Sequence, residues 1–233
     1  MKKQKTRPFV LWAATLFLAA AAAGLLSGCR AEPFSGTFDA TRYVQGGLDC
    51  LYKGIYDDYR ATTDATEEEA AEIYEEGMKT ESQSFEVYFD LSLSDEDREK
   101  VIAAYKKVYQ KADYTVEKAA LKKEDSTKEY LVEVHIRPLL IFEDILPEYN
   151  AFVDEMNARY TQEVVDAMDD SAYSAYLSQY AQKIVSLMES HVDTVTYGEE
   201  QSFTVHVQPD SDGIYEIPAE DLQAIDAIVI QYG

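Results

Sequence analysis

Cysteine is nearly absent from this chain. There are two, Cys29 and Cys50, so no disulfide framework can be read from their spacing. Tryptophan is represented by Trp12 alone, and histidine by His135, His191 and His206. Basic residues are scarce: 21 Lys and Arg stand against 44 Asp and Glu, a formal charge of −23 at pH 7. A surface of that sign repels phosphate backbones and anionic lipid headgroups, which excludes nucleic acid as a partner. It also keeps an exported protein soluble, and it suits an extracellular cation or a basic peptide as a partner. No G-x-S-x-G, H-E-x-x-H, C-x-x-C or P-loop pattern occurs. No cofactor and no metal are expected, and no catalytic residue is assigned.

Long apolar runs are also missing, with one exception. Residues 9–26 are apolar or small throughout and follow Lys2, Lys3, Lys5 and Arg7. Positive charge, apolar core and small-residue cleavage site, in that order, make a secretory signal rather than a part of the fold. Leu26-Ser27-Gly28-Cys29 closes the run with the pattern of a bacterial lipobox. It predicts cleavage after Gly28 and a thioether from the Cys29 thiol to diacylglycerol, with palmitate among the acyl chains. Two chains hold a protein stably where one is marginal. The run is also long enough for an uncleaved membrane anchor, the alternative reading. Either way the basic end stays inside and the remainder faces outward. There is no twin arginine, so the chain is expected to cross unfolded. The expected location is the outer face of the cytoplasmic membrane, with the lipid on Cys29 as the membrane contact.

Removing the leader of 28 residues from 233 leaves 205, enough for one domain with a core or for two small ones. The leader carries four basic residues and no acidic ones, so 17 basic against 44 acidic residues remain, a charge of −27. Residues 29–38 hold the lipidated cysteine and a short linker with Pro33, Ser35 and Gly36. Nine residues reach at most about 30 Å, so the domain, 39–233, starts close to the membrane. Once Cys29 is lipidated, Cys50 is expected as a buried, inert thiol on a helix.

Asp39 is the expected N-cap of a first helix, with Val44, Leu48, Leu51 and Ile55 at helical spacing. Gly46 and Gly47 weaken that helix or admit a close neighbour. Thr66-Glu67-Glu68-Glu69 has the form of a capping box and opens a second helix running to about Phe89. Ser94, with Asp97 three residues on, opens a third, whose stripe is Val101, Ala104, Tyr105 and Val108. The period then changes. Residues 114–121 read as a strand, 124–127 as a polar turn, and Tyr130, Val132, Val134 and Ile136 alternate as a half-buried strand that Pro138 ends. Helical spacing returns from Pro147 with Phe152, Met156, Tyr160 and Val164. After a break at 169–171 it continues through Tyr173, Leu177, Tyr180, Ile184 and Leu187. Phe203, Val205 and Val207 alternate in a further strand, Asp212-Gly213 signals a hairpin, and 214–217 return. Pro218 starts a last helix over 221–228. The fold class is α+β, mainly helical, with two β-hairpins pairing into one small antiparallel sheet. Two subdomains are the alternative, and the two halves share a plan of helices followed by a hairpin.

The stretch Tyr43-Val44-Gln45-Gly46-Gly47-Leu48-Asp49-Cys50-Leu51-Tyr52-Lys53-Gly54, with Thr66-Glu67-Glu68-Glu69-Ala70, Tyr74-Glu75-Glu76-Gly77 and Asp212-Gly213-Ile214-Tyr215, resembles a family of uncharacterised predicted lipoproteins from clostridia and related Gram-positive bacteria. The resemblance spans most of the chain through loose motifs. It implies a shared fold and a location facing the cell wall of a single-membrane cell. It implies no activity, because the function of that family is unknown.

Three groups are weighed as sites. His135 and His206 lie on the solvent faces of two strands, and if those strands pair the rings come near each other beside Glu133. Two imidazoles and a carboxylate suit zinc or acid–base work, against the plainer reading of two unrelated surface histidines. His191 ends a helix, where a partial charge suits the dipole. Asp210-Ser211-Asp212-Gly213 with Glu220 resembles a calcium loop, but alignment on the glycine puts Ala219 at the last ligand position and Gln208 at the first, so a hairpin turn is the better reading. The 18 tyrosines suit a sugar- or peptide-binding face, yet Tyr105, Tyr160, Tyr173 and Tyr180 fall on apolar stripes and read as core. Two functions follow. One is a non-catalytic binding or interaction module at the membrane–wall boundary. The other is an enzyme with a pocket between helices and sheet, its reaction unknown.

Folding that needs neither metal nor disulfide has a direct consequence. Reducing agent and chelator should leave the thermal midpoint of residues 30–233 nearly unchanged, as followed by circular dichroism. A large drop with chelator alone would reveal a structural metal.

Overall fold

The computed structural model describes residues 38–122 and 128–232. The leader, the lipobox with Cys29, the linker as far as residue 37 and the turn at 124–127 lie outside the described residues.

Caps set the helix starts. Asp39 accepts from the Arg42 amide at 3.1 Å and opens α1, Ala40–Leu48. Thr66 and Glu69 exchange both bonds of a capping box at the head of α3, Glu67–Tyr88, which stops at Phe89 as the pattern predicts. Ser94 accepts from the Asp97 amide to open α4, Asp95–Tyr109, and Asp169 accepts from the Ala172 amide to open α7, Asp170–His191. The Ser94 box is only half made. The Asp97 carboxylate turns away from the cap backbone and accepts instead from the side chains of Ser94, Ser178 and Gln182, tying α4 to α7. Burial alone would raise the Asp97 pKa, but these hydrogen bonds outweigh it and hold the carboxyl below its usual range.

The strands are β1, Asp113–Val116; β2, Ala120–Leu121; β3, Tyr130–Arg137; β4, Gln201–Pro209; and β5, Tyr215–Glu216. They form one antiparallel sheet in the order β1-β3-β4-β5, with β2 also on β3. The two hairpins therefore join through β3 and β4, in register Val132 with Val205 and Val134 with Phe203. Val132, Val134, Ile136, Val205 and Val207 are buried, while Glu133 and Thr204 face out, the alternation expected of a half-covered sheet. The first helix and the last, α8 at Ala219–Val229, lie against the sheet. The remaining long helices pack beside them, α4 against α3 and α7, and α7 against α5, Ile141–Arg159.

Four expectations need correction. The first helix does not carry its stripe to Ile55. It passes into a π-helical turn, Asp49–Lys53, and stops at Gly54 in the left-handed region (φ 62°), which leaves Ile55 49 % exposed. A short helix, α2 at Asp57–Thr62, follows and crosses α1 so closely that a Cβ on Gly46 would stand 2.4 Å from the Tyr59 amide nitrogen. The strand expected over 114–121 is interrupted, because the Ala119 amide leaves the ladder to donate to Thr41 Oγ1 at 2.8 Å. The helix expected from Pro147 begins at Ile141 and carries Pro147 inside it. Burial of Leu139, Ile141 and Phe142 sets that start and overrides the local proline signal. Val164 is 45 % exposed on a short helix, α6 at Gln162–Asp166, and its neighbour Val165 is buried instead.

The sheet face sets a test. Val134 is fully buried. An aspartate there places a charge without a partner in the core, a cost of several kcal/mol that is comparable with total domain stability. Val134→Asp should abolish the cooperative melt of residues 30–233. A wild-type-like melt would mean that the other face of β3 packs inward.

Candidate functional site

The three histidines are built into separate surroundings. His135 stands opposite Ser202, and His206 opposite Leu131. Four positions along β3 separate the two sites, roughly 13 Å, so the pairing of the strands does not bring the rings together. His135 Nδ1 lies 2.9 Å from Ser202 Oγ and 3.6 Å from Glu200; its Nε2 is 3.9 Å from Glu133 and 4.0 Å from Glu117. The serine contact is a hydrogen bond, whereas the three carboxylates are loose surface approaches. Glu133 approaches His135, and among the described residues no ion pair between Glu133 and His206 is present. His206 is held more firmly, since Asp221 Oδ2 accepts from its main-chain N–H at 2.7 Å and from its Nδ1 at 2.9 Å. A carboxylate at Nδ1 fixes the ring's tautomer. The same oxygen caps an outward N–H of β4. His191 ends α7, its Nδ1 within 3.0 Å of the Leu187 carbonyl oxygen and its Nε2 within 3.2 Å of Glu148. Among the described residues no group of three or more His, Cys, Asp or Glu is arranged to hold a metal. Asp210 is spent on its own turn, accepting from the Asp212 and Ile214 amides as a hairpin requires.

Cys50 is buried, and its thiol donates to the Ala70 carbonyl oxygen at 3.6 Å. The tyrosines are mainly core. Tyr59, Tyr105, Tyr109, Tyr149, Tyr176 and Tyr180 are among the largest fully buried side chains.

The chemistry that sequence reading missed lies beneath these tyrosines. A cleft opens between the π-helical turn, α3 and α8, with Leu51, Met78 and Leu222 as apolar walls and Tyr52, Glu81 and Asp226 as its polar ones. Its cavity volume of ≈ 20 Å³ is room for about one water. The Glu81 and Asp226 side chains touch solvent at the rim, but their carboxyl groups are enclosed by protein. The Tyr232 hydroxyl donates to Glu81 Oε2 at 3.3 Å, and Tyr105 stands 2.9 Å behind Tyr232. The Tyr52 hydroxyl donates to Asp226 Oδ1 at 3.3 Å. Enclosure pushes Glu81 up to about 8, with the neighbouring Asp226 charge adding to the rise and the Tyr109 and Tyr232 hydroxyls opposing it. Enclosure likewise raises Asp226 to about 6, against the Tyr52 hydrogen bond. Burial and the same two acids push Tyr52, Tyr105, Tyr109 and Tyr232 well above the tyrosine range, so their hydroxyls remain donors.

One signal for this pair was present in the sequence. Glu81 follows Met78 by three residues and precedes Phe85 by four, and Asp226 follows Leu222 by four and precedes Val229 by three. Each is an acid on the buried stripe of its helix.

The chain matches no protein-family model and no curated protein. Among solved structures it is similar to a Bacillus subtilis subsp. subtilis str. 168 protein described as a "putative lipoprotein (ycdA)", at 13% identity with a TM-score of 0.54. The likeness covers 83% of this chain and 57% of that one, so the chain spans a little over half of that protein's length. At this identity the likeness is one of fold.

The raised carboxyls set the pH dependence of stability. Between the usual range near 4.5 and about 8, folded Glu81 keeps a proton that the unfolded chain has released. Its contribution is therefore full below about pH 4.5, falls as pH rises through that window and levels off above it; Asp226 acts in the same sense from 3.8 to about 6. Denaturant unfolding should show stability declining by on the order of 3 kcal/mol from about pH 5 to about pH 8.5. Glu81→Gln should remove most of that slope. A variant as pH-dependent as wild type would contradict the assignment.

Proposed function

We propose that this chain is a lipid-anchored extracytoplasmic protein, tethered through Cys29 at the outer face of the cytoplasmic membrane. Its folded domain serves as a binding or interaction module at the membrane–wall boundary. The observation that carries the reading is Leu26-Ser27-Gly28-Cys29 at the end of a basic-then-apolar leader, with the first helix capped by Asp39 only ten residues later. The likeness of fold to a Bacillus subtilis protein described as a lipoprotein supports it. The acidic surface leaves the lipid as the membrane contact and favours cationic or basic partners over nucleic acid.

Metabolic labelling tests the anchor. Cells expressing the chain with radioactive palmitate should yield labelled protein in the membrane fraction. Cys29→Ala should lose the label and either stay as the uncut precursor or appear in the medium. Label that persists without Cys29 would overturn the proposal.

A further inference from the structure

The enclosed acid pair lies where two distant parts of the chain meet. Glu81 comes from α3, and Asp226 from the last helix. The titratable groups that face them are tyrosines: Tyr52 from the π-helical turn, Tyr105 and Tyr109 from α4, and Tyr232 from the tail after α8. Among the described residues no Lys, Arg or His contributes to the field at either carboxyl. Hydroxyls can donate to a carboxylate, but they cannot cancel two like charges in a cleft this narrow.

The tail itself is held by few polar contacts. Leu139 receives it through two main-chain bonds, its N–H to the Val229 carbonyl at 2.9 Å and its carbonyl from the Gln231 N–H at 3.0 Å. Tyr88 donates to the Tyr232 carbonyl, and the Tyr232 ring stacks on Phe142 with centroids 4.6 Å apart. At the far end of α8, Asp221 is engaged by His206. Between these two ends, α8 and α3 face each other across the cleft that Leu222 and Asp226 line with Met78 and Glu81.

We infer that Glu81 and Asp226 form a protonation-operated latch between α3 and the C-terminal segment 219–232, closed while the pair holds a proton and loosened when both carboxyls are ionised. A proton held by either carboxyl leaves a single charge in the cleft and removes the repulsion. Loss of that proton leaves two charges of one sign on helices joined by no cation. Separation admits water to the cleft, frees the Tyr232 ring from Phe142 and exposes Tyr52. The device does not depend on the anchor or on the identity of any partner.

Hydrogen–deuterium exchange on the full chain tests it, read by mass spectrometry at about pH 5 and about pH 9 and corrected for the intrinsic rate. In wild type, and in the surface control Glu163→Gln, protection within 219–232 and 77–88 should fall about tenfold or more between the two conditions, as expected when a pKa difference of a unit or more is released. Glu81→Gln and Asp226→Asn, which cannot both ionise, should keep their protection within about twofold. Equal loss in these variants and wild type, or no loss in wild type, would overturn the latch. Should the variants fail to fold, infrared spectra of wild type decide. A protonated-carboxyl band that vanishes over the pH range in which protection is lost supports the latch, and its disappearance with protection intact refutes it.

Discussion

The pairing of β3 with β4 is the contact on which the rest of the molecule depends. It joins Tyr130–Arg137 to Gln201–Pro209 along most of their length. Neither hairpin is large enough to stand alone in water. Joined, they present one apolar face of valines and Ile136 to the helices. The segment between the two strands is a helical excursion, α5 to α7, that must leave and return within the spacing the ladder sets. Leu139 secures both its ends. It bridges Tyr197 on the returning side and Ile230 in the tail, so the crossover and the C-terminus close at one residue.

Tyrosine gives this core its particular chemistry. A buried phenylalanine needs only space, whereas a buried tyrosine must also find a partner for its hydroxyl. The chain meets that demand in two ways. Some hydroxyls bond one another, as Tyr176 does Tyr180 at 2.9 Å. Others bond carboxylates or main-chain oxygens, as Tyr114 does Asp49 at 2.7 Å and Tyr197 does the Lys111 carbonyl at 2.8 Å. In a chain with twice as many acids as bases, hydroxyls supply the donors that cations would otherwise provide. The pair Glu81 and Asp226 is the extreme case, with phenols as its only donors among the described side chains.

Periodicity carried the fold. Asp39, Thr66 and Ser94 announced helices because capping is a local interaction, legible within four residues of sequence. Val132 and Val134 announced a half-buried strand because alternation is local too. Failures came where distant residues decided. Pro147 was read as a helix start, but the burial of Leu139 and Ile141 began that helix six residues earlier. Residues 114–121 were read as one strand, yet Thr41, more than seventy positions away, draws Ala119 out of the ladder. Of the candidate site residues, His135 and His206 were placed on the correct strands and face. Their separation depended on the register of β3 against β4, which no local pattern fixes.

The acid pair was hidden for a different reason. With 44 acidic residues in the chain, the presence of any one of them says nothing, and only its position does. An acid on the apolar stripe of a single helix is an ordinary flaw, relieved by letting its side chain reach toward solvent. Two such acids lining one narrow cleft cannot both carry charge there without repulsion. One must hold a proton, or the helices must part. The enclosure that brings Glu81 and Asp226 into one cleft is therefore what the proposed pH dependence rests on, and the aromatic donors around it set how far the proton is retained. Glu81 and Asp226 thus derive their chemistry from being ordinary residues in positions where charge is costly.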